Sequence, residues 1–155
     1  MTRWLNEEEQ VSWRAWIEAS NTLNHQLSSD LQRDHQLTLA DYEILVQLSE
    51  HPDRQMRMSE LAEATLASRS RLTHQVDRLV KRGLVERKEC ELDRRGSFAA
   101  LTDQGWDAIV AAAPDHVASV RRYLVDLLGP QEFAALGRAC QRIADNLTSD
   151  RPTTE

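Results

Sequence analysis

The feature that most constrains this 155-residue chain is a change of hydrophobic period between residues 68 and 101. Over residues 69–82 the apolar side chains Leu72, Val76 and Leu79 recur at spacings of four and three, which puts them on one face of a helix. Ser68 stands where a side-chain oxygen caps free backbone N–H groups, and Gly83 stands where helices end in a residue of positive φ. Beyond Gly83 the period drops to two. Residues 84–90 alternate, with Leu84, Glu86 and Lys88 opposing Val85, Arg87 and Glu89, as a strand does. Asp93-Arg94-Arg95-Gly96 has the make-up of a polar turn, and Ser97–Leu101 that of the returning strand. A hairpin of this size is marginal alone and must lean on the helices before it.

The remainder has the periodicity of helix. Residues 7–31 carry Trp13, Trp16, Ile17, Leu23, Leu27 and Leu31 at spacings of mostly three or four, which predicts one long amphipathic helix. Thr38 and Asp41 form a capping-box pair for a second helix with the face Leu39, Tyr42, Ile44, Leu45 and Leu48, ended by Pro52. Ser59 is expected to cap a short helix over 60–64 that buries Leu61 and Ala62, followed by a connector at 65–67. Thr102 caps a helix over 103–128 that Pro114 should kink or split. Gly129-Pro130 starts the last helix, 131–147, whose stripe is Phe133, Leu136, Cys140, Ile143 and Leu147.

The expected fold is therefore mainly α with a small β-hairpin wing (α+β). A winged helix-turn-helix lobe at 35–101 lies between an N-terminal dimerisation helix at 1–34 and C-terminal dimerisation helices at 102–148, with a flexible tail at 149–155. The stripe of the last helix has no obvious partner within so small a lobe; pairing with a symmetry mate and with the first helix would hide both.

A net charge of −6 argues at first against nucleic acid as a partner. Its distribution reverses that. Between Arg54 and Arg95 basic residues exceed acidic ones by 4, whereas the rest of the chain carries −10. A basic middle between acidic arms provides a local face for phosphates. No apolar run approaches the roughly 20 residues of a membrane span, and no charged-then-apolar leader opens the chain, so a cytoplasmic protein is expected. No catalytic or phosphate-cradling fingerprint occurs, and His25, His35, His51, His74 and His116 are scattered without metal-like spacing. Neither an enzyme, a cofactor nor a metal site is indicated.

The order helix, short helix, tight connector, basic helix, hairpin is that of a winged helix-turn-helix. The basic helix suits the major groove, which admits one α-helix and displays a distinct pattern for each base pair. Ser68, Arg69, Ser70, Arg71, Thr73 and His74 at its start, with Arg78 further on, can donate to bases or phosphates of double-stranded DNA. Arg94 and Arg95 at the hairpin tip are placed for the neighbouring minor groove, where negative potential concentrates. A solvated amphipathic helix would carry similar charges, and a winged helix that binds proteins instead would show exposed apolar residues on this face. The sequence shows arginine, serine and threonine there.

Asp93-Arg94-Arg95-Gly96-Ser97-Phe98-Ala99-Ala100-Leu101-Thr102 resembles the wing signature of MarR-type regulators, D-x-R, five residues, then L-T. Leu79-Val80-Lys81-Arg82-Gly83-Leu84-Val85-Glu86-Arg87 is similar to that family's exit from the recognition helix, and Met58-Ser59-Glu60-Leu61-Ala62 to its "LSELA" segment. The resemblance covers the whole chain in order. It implies a homodimeric transcription regulator, most often a repressor, joined through its first and last helices on an inverted-repeat operator. It also implies release by a small aromatic or anionic effector entering between the arms and the reading lobe; a regulator without ligand response is the alternative. By position Trp13, Trp16, His25 and Tyr42 are the candidates to line such a cleft, although core or interface packing gives aromatic residues the same spacing. Part of the family senses peroxide through a cysteine near the N-terminus. Here Cys90 sits between acidic neighbours that disfavour a thiolate, and Cys140 lies on the last apolar stripe, where packing is expected.

Overall fold

A computed structural model describes residues 1–89 and 97–149. Two compact units are present, Met1–His116 and Val117–Glu155. The first begins with α1 (Glu7–His35), opened by a capping box in which Asn6 Oδ1 accepts from Glu9 N–H at 2.8 Å and the Glu9 carboxylate accepts from Asn6 N–H at 2.9 Å. The helix runs past residue 31 because Gln36 takes the left-handed conformation, φ 57°, and returns its N–H to Gln32 and Leu31. Thr38 and Asp41 cap α2 (Leu39–Glu50) reciprocally, both bonds at 3.1 Å.

Pro52 does not simply follow the end of α2; it opens a tight turn, Pro52–Arg54, in which Asp53 and Arg54 take positive φ of 60° and 53°, and that leads into a strand absent from the sequence reading, β1 (Gln55–Arg57). Next come α3 (Met58–Ala64), α4 (Arg69–Lys81), β2 (Val85–Glu89) and β3 (Ser97–Leu101). The sheet order is β1-β3-β2, antiparallel throughout, with Arg57 opposite Phe98 and Val85 opposite Leu101. The expected cap of α3 is corrected. The helix starts two residues earlier, with Arg57 in the cap position and its N–H donating to Glu60 at 3.3 Å, so Ser59 lies inside the first turn.

Leu31, Ile44, Leu45, Leu48, Leu61, Leu72, Val76, Leu79 and Val85, each at most 2 % exposed, make one core shared by all these elements. Each such side chain stabilises by about 1.5–3 kcal/mol on burial. The wing is fastened at its root. Thr102 Oγ1 donates to the Gly83 carbonyl at 2.6 Å and accepts from Gly105 N–H at 3.0 Å, joining the end of α4 to the start of α5 (Asp103–Val120). A Cβ on Gly105 would lie 2.1 Å from the Leu84 carbonyl oxygen, so only glycine permits that approach. Gly83, at φ +73°, makes the turn into the strand.

Pro114 does not split α5, which continues to Val120; the irregularity comes later, as a π-helical turn over Arg121–Val125. The second unit contains that turn and α6 (Pro130–Ser149). On α6 Phe133, Ile143 and Leu147 are exposed, and Cys140, expected to be packed away, is only half-buried in the single chain. In α1 Leu27 and Leu31 enter the core while Trp13, Trp16 and Ile17 remain exposed, at 55, 43 and 38 %. No helix among the described residues is long and apolar enough to cross a membrane.

Candidate nucleic-acid interface

The basic helix α4 is held by its apolar face and displays the opposite one. Leu72, Val76 and Leu79 are buried in the core, while Ser68, Arg69, Ser70, Arg71, Thr73, His74 and Arg78 are exposed. Ser68 Oγ accepts from Arg71 N–H at 3.3 Å, which caps the helix and leaves its N-terminal turn free of any carboxylate. The one acid of α4, Asp77, is taken up by the Arg87 guanidinium of β2 at 3.0 Å. The presented face is thus cationic and hydroxyl-bearing, the combination that donates to guanine, adenine and phosphate oxygens.

Three polar ties orient this helix beyond its apolar packing. Arg78 Nη2 donates to the buried Asp41 carboxylate at 2.7 Å, and Arg82 Nη1 donates to the Gln36 carbonyl at 2.8 Å. Arg87 supplies the third from the wing strand. Arg78, expected among the DNA contacts, is therefore engaged in joining α4 to α2. Asp41 was visible in the sequence only as a helix cap; its second role depends on a contact 37 positions away that local pattern does not reveal.

A cleft of about 980 Å³ lies between α1, α2 and α4, lined among others by His25, Glu43, Ser70, Arg71, His74 and Arg78. Of the four residues expected to line an effector cleft, His25 is present there. Trp13 and Trp16 stand exposed on the first half of α1. Tyr42 packs against the core with its ring 4.5 Å from that of His116, and burial raises its phenol above the usual tyrosine range. Burial also lowers the His116 imidazole, whose Nδ1 is enclosed without a hydrogen-bond partner among the described residues. Arg94, Arg95 and Cys90 lie outside the described residues.

Residues 35–96 match the sequence profile of the MarR family. The whole chain is similar to AbsC, a MarR family transcriptional regulator from Streptomyces coelicolor, at 50 % identity and a TM-score of 0.90, covering 96 % of this chain and 100 % of that one. It is similar also to Sco3205, a MarR family transcriptional regulator from the same organism solved in complex with DNA, at 42 % identity and a TM-score of 0.93, covering 99 % and 94 %. An uncharacterised HTH-type transcriptional regulator from Bacillus cereus is 28 % identical over 120 residues, 77 % of this chain and 78 % of that protein. With the fold and the presented α4 face, this chain belongs to the MarR family of transcriptional regulators.

Proposed function

We propose that the chain acts in the cytoplasm as a homodimeric repressor that sets α4 of each copy into the major groove at an inverted-repeat operator. The observation that carries this is the division of α4. Its reverse face is locked by Leu72, Val76 and Leu79, and its front presents Arg69, Ser70, Arg71, Thr73 and His74 without an acid among them. The exposed stripes of α1 and α6 supply the dimer contact, leaving residues 35–101 as the reading lobe. Arg71 contacts base edges and Arg94 and Arg95 reach the minor groove. A small aromatic anion entering the cleft that holds His25, Arg71 and His74 releases the DNA by occupying reading side chains.

Salt tests the first step. With about six phosphates contacted, affinity falls roughly a thousandfold between about 50 and 200 mM salt; a flat response refutes DNA binding. Arg71→Ala is expected to narrow the gap between operator and scrambled duplex by about tenfold or more. An unchanged ratio refutes the assignment of Arg71 to base contacts.

A further inference from the structure

A second, smaller cleft opens on the other flank of α4, with a volume of about 260 Å³. Arg57 at the end of β1, Ser59 in α3, Arg69 and Thr73 in α4, and Ser97 at the start of β3 line it, over a floor that includes Leu72. Two guanidinium groups and three hydroxyls from four elements therefore converge on one depression, and none of its described lining residues is acidic. The neighbouring carboxylate of Glu60 is turned back onto the Arg57 N–H. The Arg57 guanidinium lies over the Phe98 ring, 5.2 Å from its centroid, which orders a side chain that would otherwise lose rotamer freedom on binding.

The flanks of α4 are thus unlike. Ser70, Arg71 and His74 face the cleft with α1 and α2, whereas Arg69 and Thr73, four positions apart, face the cleft with α3 and β3. A helix seated in the major groove has a sugar–phosphate strand along its flank, and the second cleft lies between that helix, α3 and the start of β3, the end of that strand away from the wing's root. Room for on the order of eight waters at about 30 Å³ each is room for a phosphodiester group. Guanidinium and hydroxyl groups are the donors that phosphate oxygens take.

We propose that this cleft seats one backbone phosphate of the bound duplex, with Arg57 and Arg69 as its charged jaws and Ser59, Thr73 and Ser97 as neutral donors. It rests on the chain binding duplex DNA through α4. Arg57, Ser59 and Ser97 then act on register and affinity, not on sequence, and Arg69 belongs with them and not with the base contacts.

The test uses the full chain and its selected operator. Arg57→Gln is expected to weaken binding about tenfold at about 150 mM salt, equally on operator and scrambled duplex. It should also reduce the slope of log K against log salt by about 0.9 for each protomer. Arg57→Lys restores most of the slope, and Ser97→Ala weakens binding about threefold. Phosphate-ethylation interference should find one phosphate in each half-site whose modification harms the wild type and leaves Arg57→Gln unaffected. Unfolding midpoints matched to the wild type certify the variants; if Arg57→Gln does not fold, Ser97→Ala and the wild-type interference pattern still decide. Steep salt dependence in the wild type with an unchanged slope and interference pattern in Arg57→Gln overturns the clamp alone. A flat wild-type response overturns DNA binding and the clamp together. A free oxyanion shares the chemistry of a duplex phosphate, so inorganic phosphate is titrated into the DNA-free protein at constant ionic strength. No saturable binding is expected below about 10 mM, a limit within the range where screening stays modest; saturable binding abolished by Arg57→Gln overturns the duplex assignment in favour of a small-anion site.

Discussion

Removing the Asp41 carboxylate tests how the recognition helix is held. Asp41 is 4 % exposed, and its two oxygens do different work: one accepts from Thr38 N–H at 3.1 Å, the other from Arg78 Nη2 at 2.7 Å. Losing a helix cap costs about 1 kcal/mol. Losing a hydrogen bond to a charged group costs about 1.5–3 kcal/mol, and the lower end applies here because Arg78 keeps 56 % of its side chain in solvent. Asp41→Ala is therefore expected to destabilise by about 2–3 kcal/mol. For a chain of this size that lowers the unfolding temperature by about 5–10 °C. Asp41→Asn keeps an oxygen for the cap and loses the charge, for about 1 kcal/mol. Arg78→Gln costs about 1–2 kcal/mol, and a double-mutant cycle with Asp41→Ala shows coupling of about 1 kcal/mol. Urea unfolding of the four proteins measures all of this. An Asp41→Ala loss under about 0.5 kcal/mol, or strict additivity with Arg78→Gln, refutes a latch between α2 and α4.

Other consequences are as direct. Gly105→Ala places a Cβ against the Leu84 carbonyl and Leu101, so the wing root must shift; thermal unfolding should show a loss of about 3 kcal/mol or more, and a neutral substitution contradicts the close approach. Burial lowers the His116 imidazole below its ordinary 6.5, so the unfolded chain takes up the proton first. The stability contributed by the neutral ring is intact above about pH 6.5 and is lost as pH falls through the folded value. His116→Phe keeps a ring against Tyr42 and removes that loss: its stability relative to wild type should rise between about pH 7 and pH 5, and a pH-independent difference contradicts it. Ile143→Glu, with glutamate set into the exposed α6 stripe, should shift the chain from dimer to monomer by light scattering; an unaltered dimer places the interface elsewhere.

The reading lobe was legible in the sequence where local pattern decides structure. Leu72, Val76 and Leu79 fall on one helical face, Ser68 caps it and Gly83 ends it, and those positions suffice to draw α4. The strand period of residues 85–89 and the return at Ser97–Leu101 were equally local. What escaped depends on distant partners. β1 is three residues long, too short to show a period, and exists because β3 pairs with it. The start of α3 was misplaced by two residues because Ser59 is the stronger cap by type, whereas Glu60 reaches back to Arg57 N–H. Pro114 suggested a break that α5 absorbs. The site was legible in the same uneven way. Residues 69–74 were evident as a presented face, but the engagement of Arg78 by Asp41 and the convergence of Arg57, Ser59 and Ser97 arise only on folding.

The most direct measurement is selection of bound fragments from random duplex DNA, with the mass of the complex determined on the enriched sequence. Inverted repeats with half-sites about 10 base pairs apart, each duplex carrying two chains, are the expected result. No enriched motif, or one chain on an asymmetric site, would contradict the account.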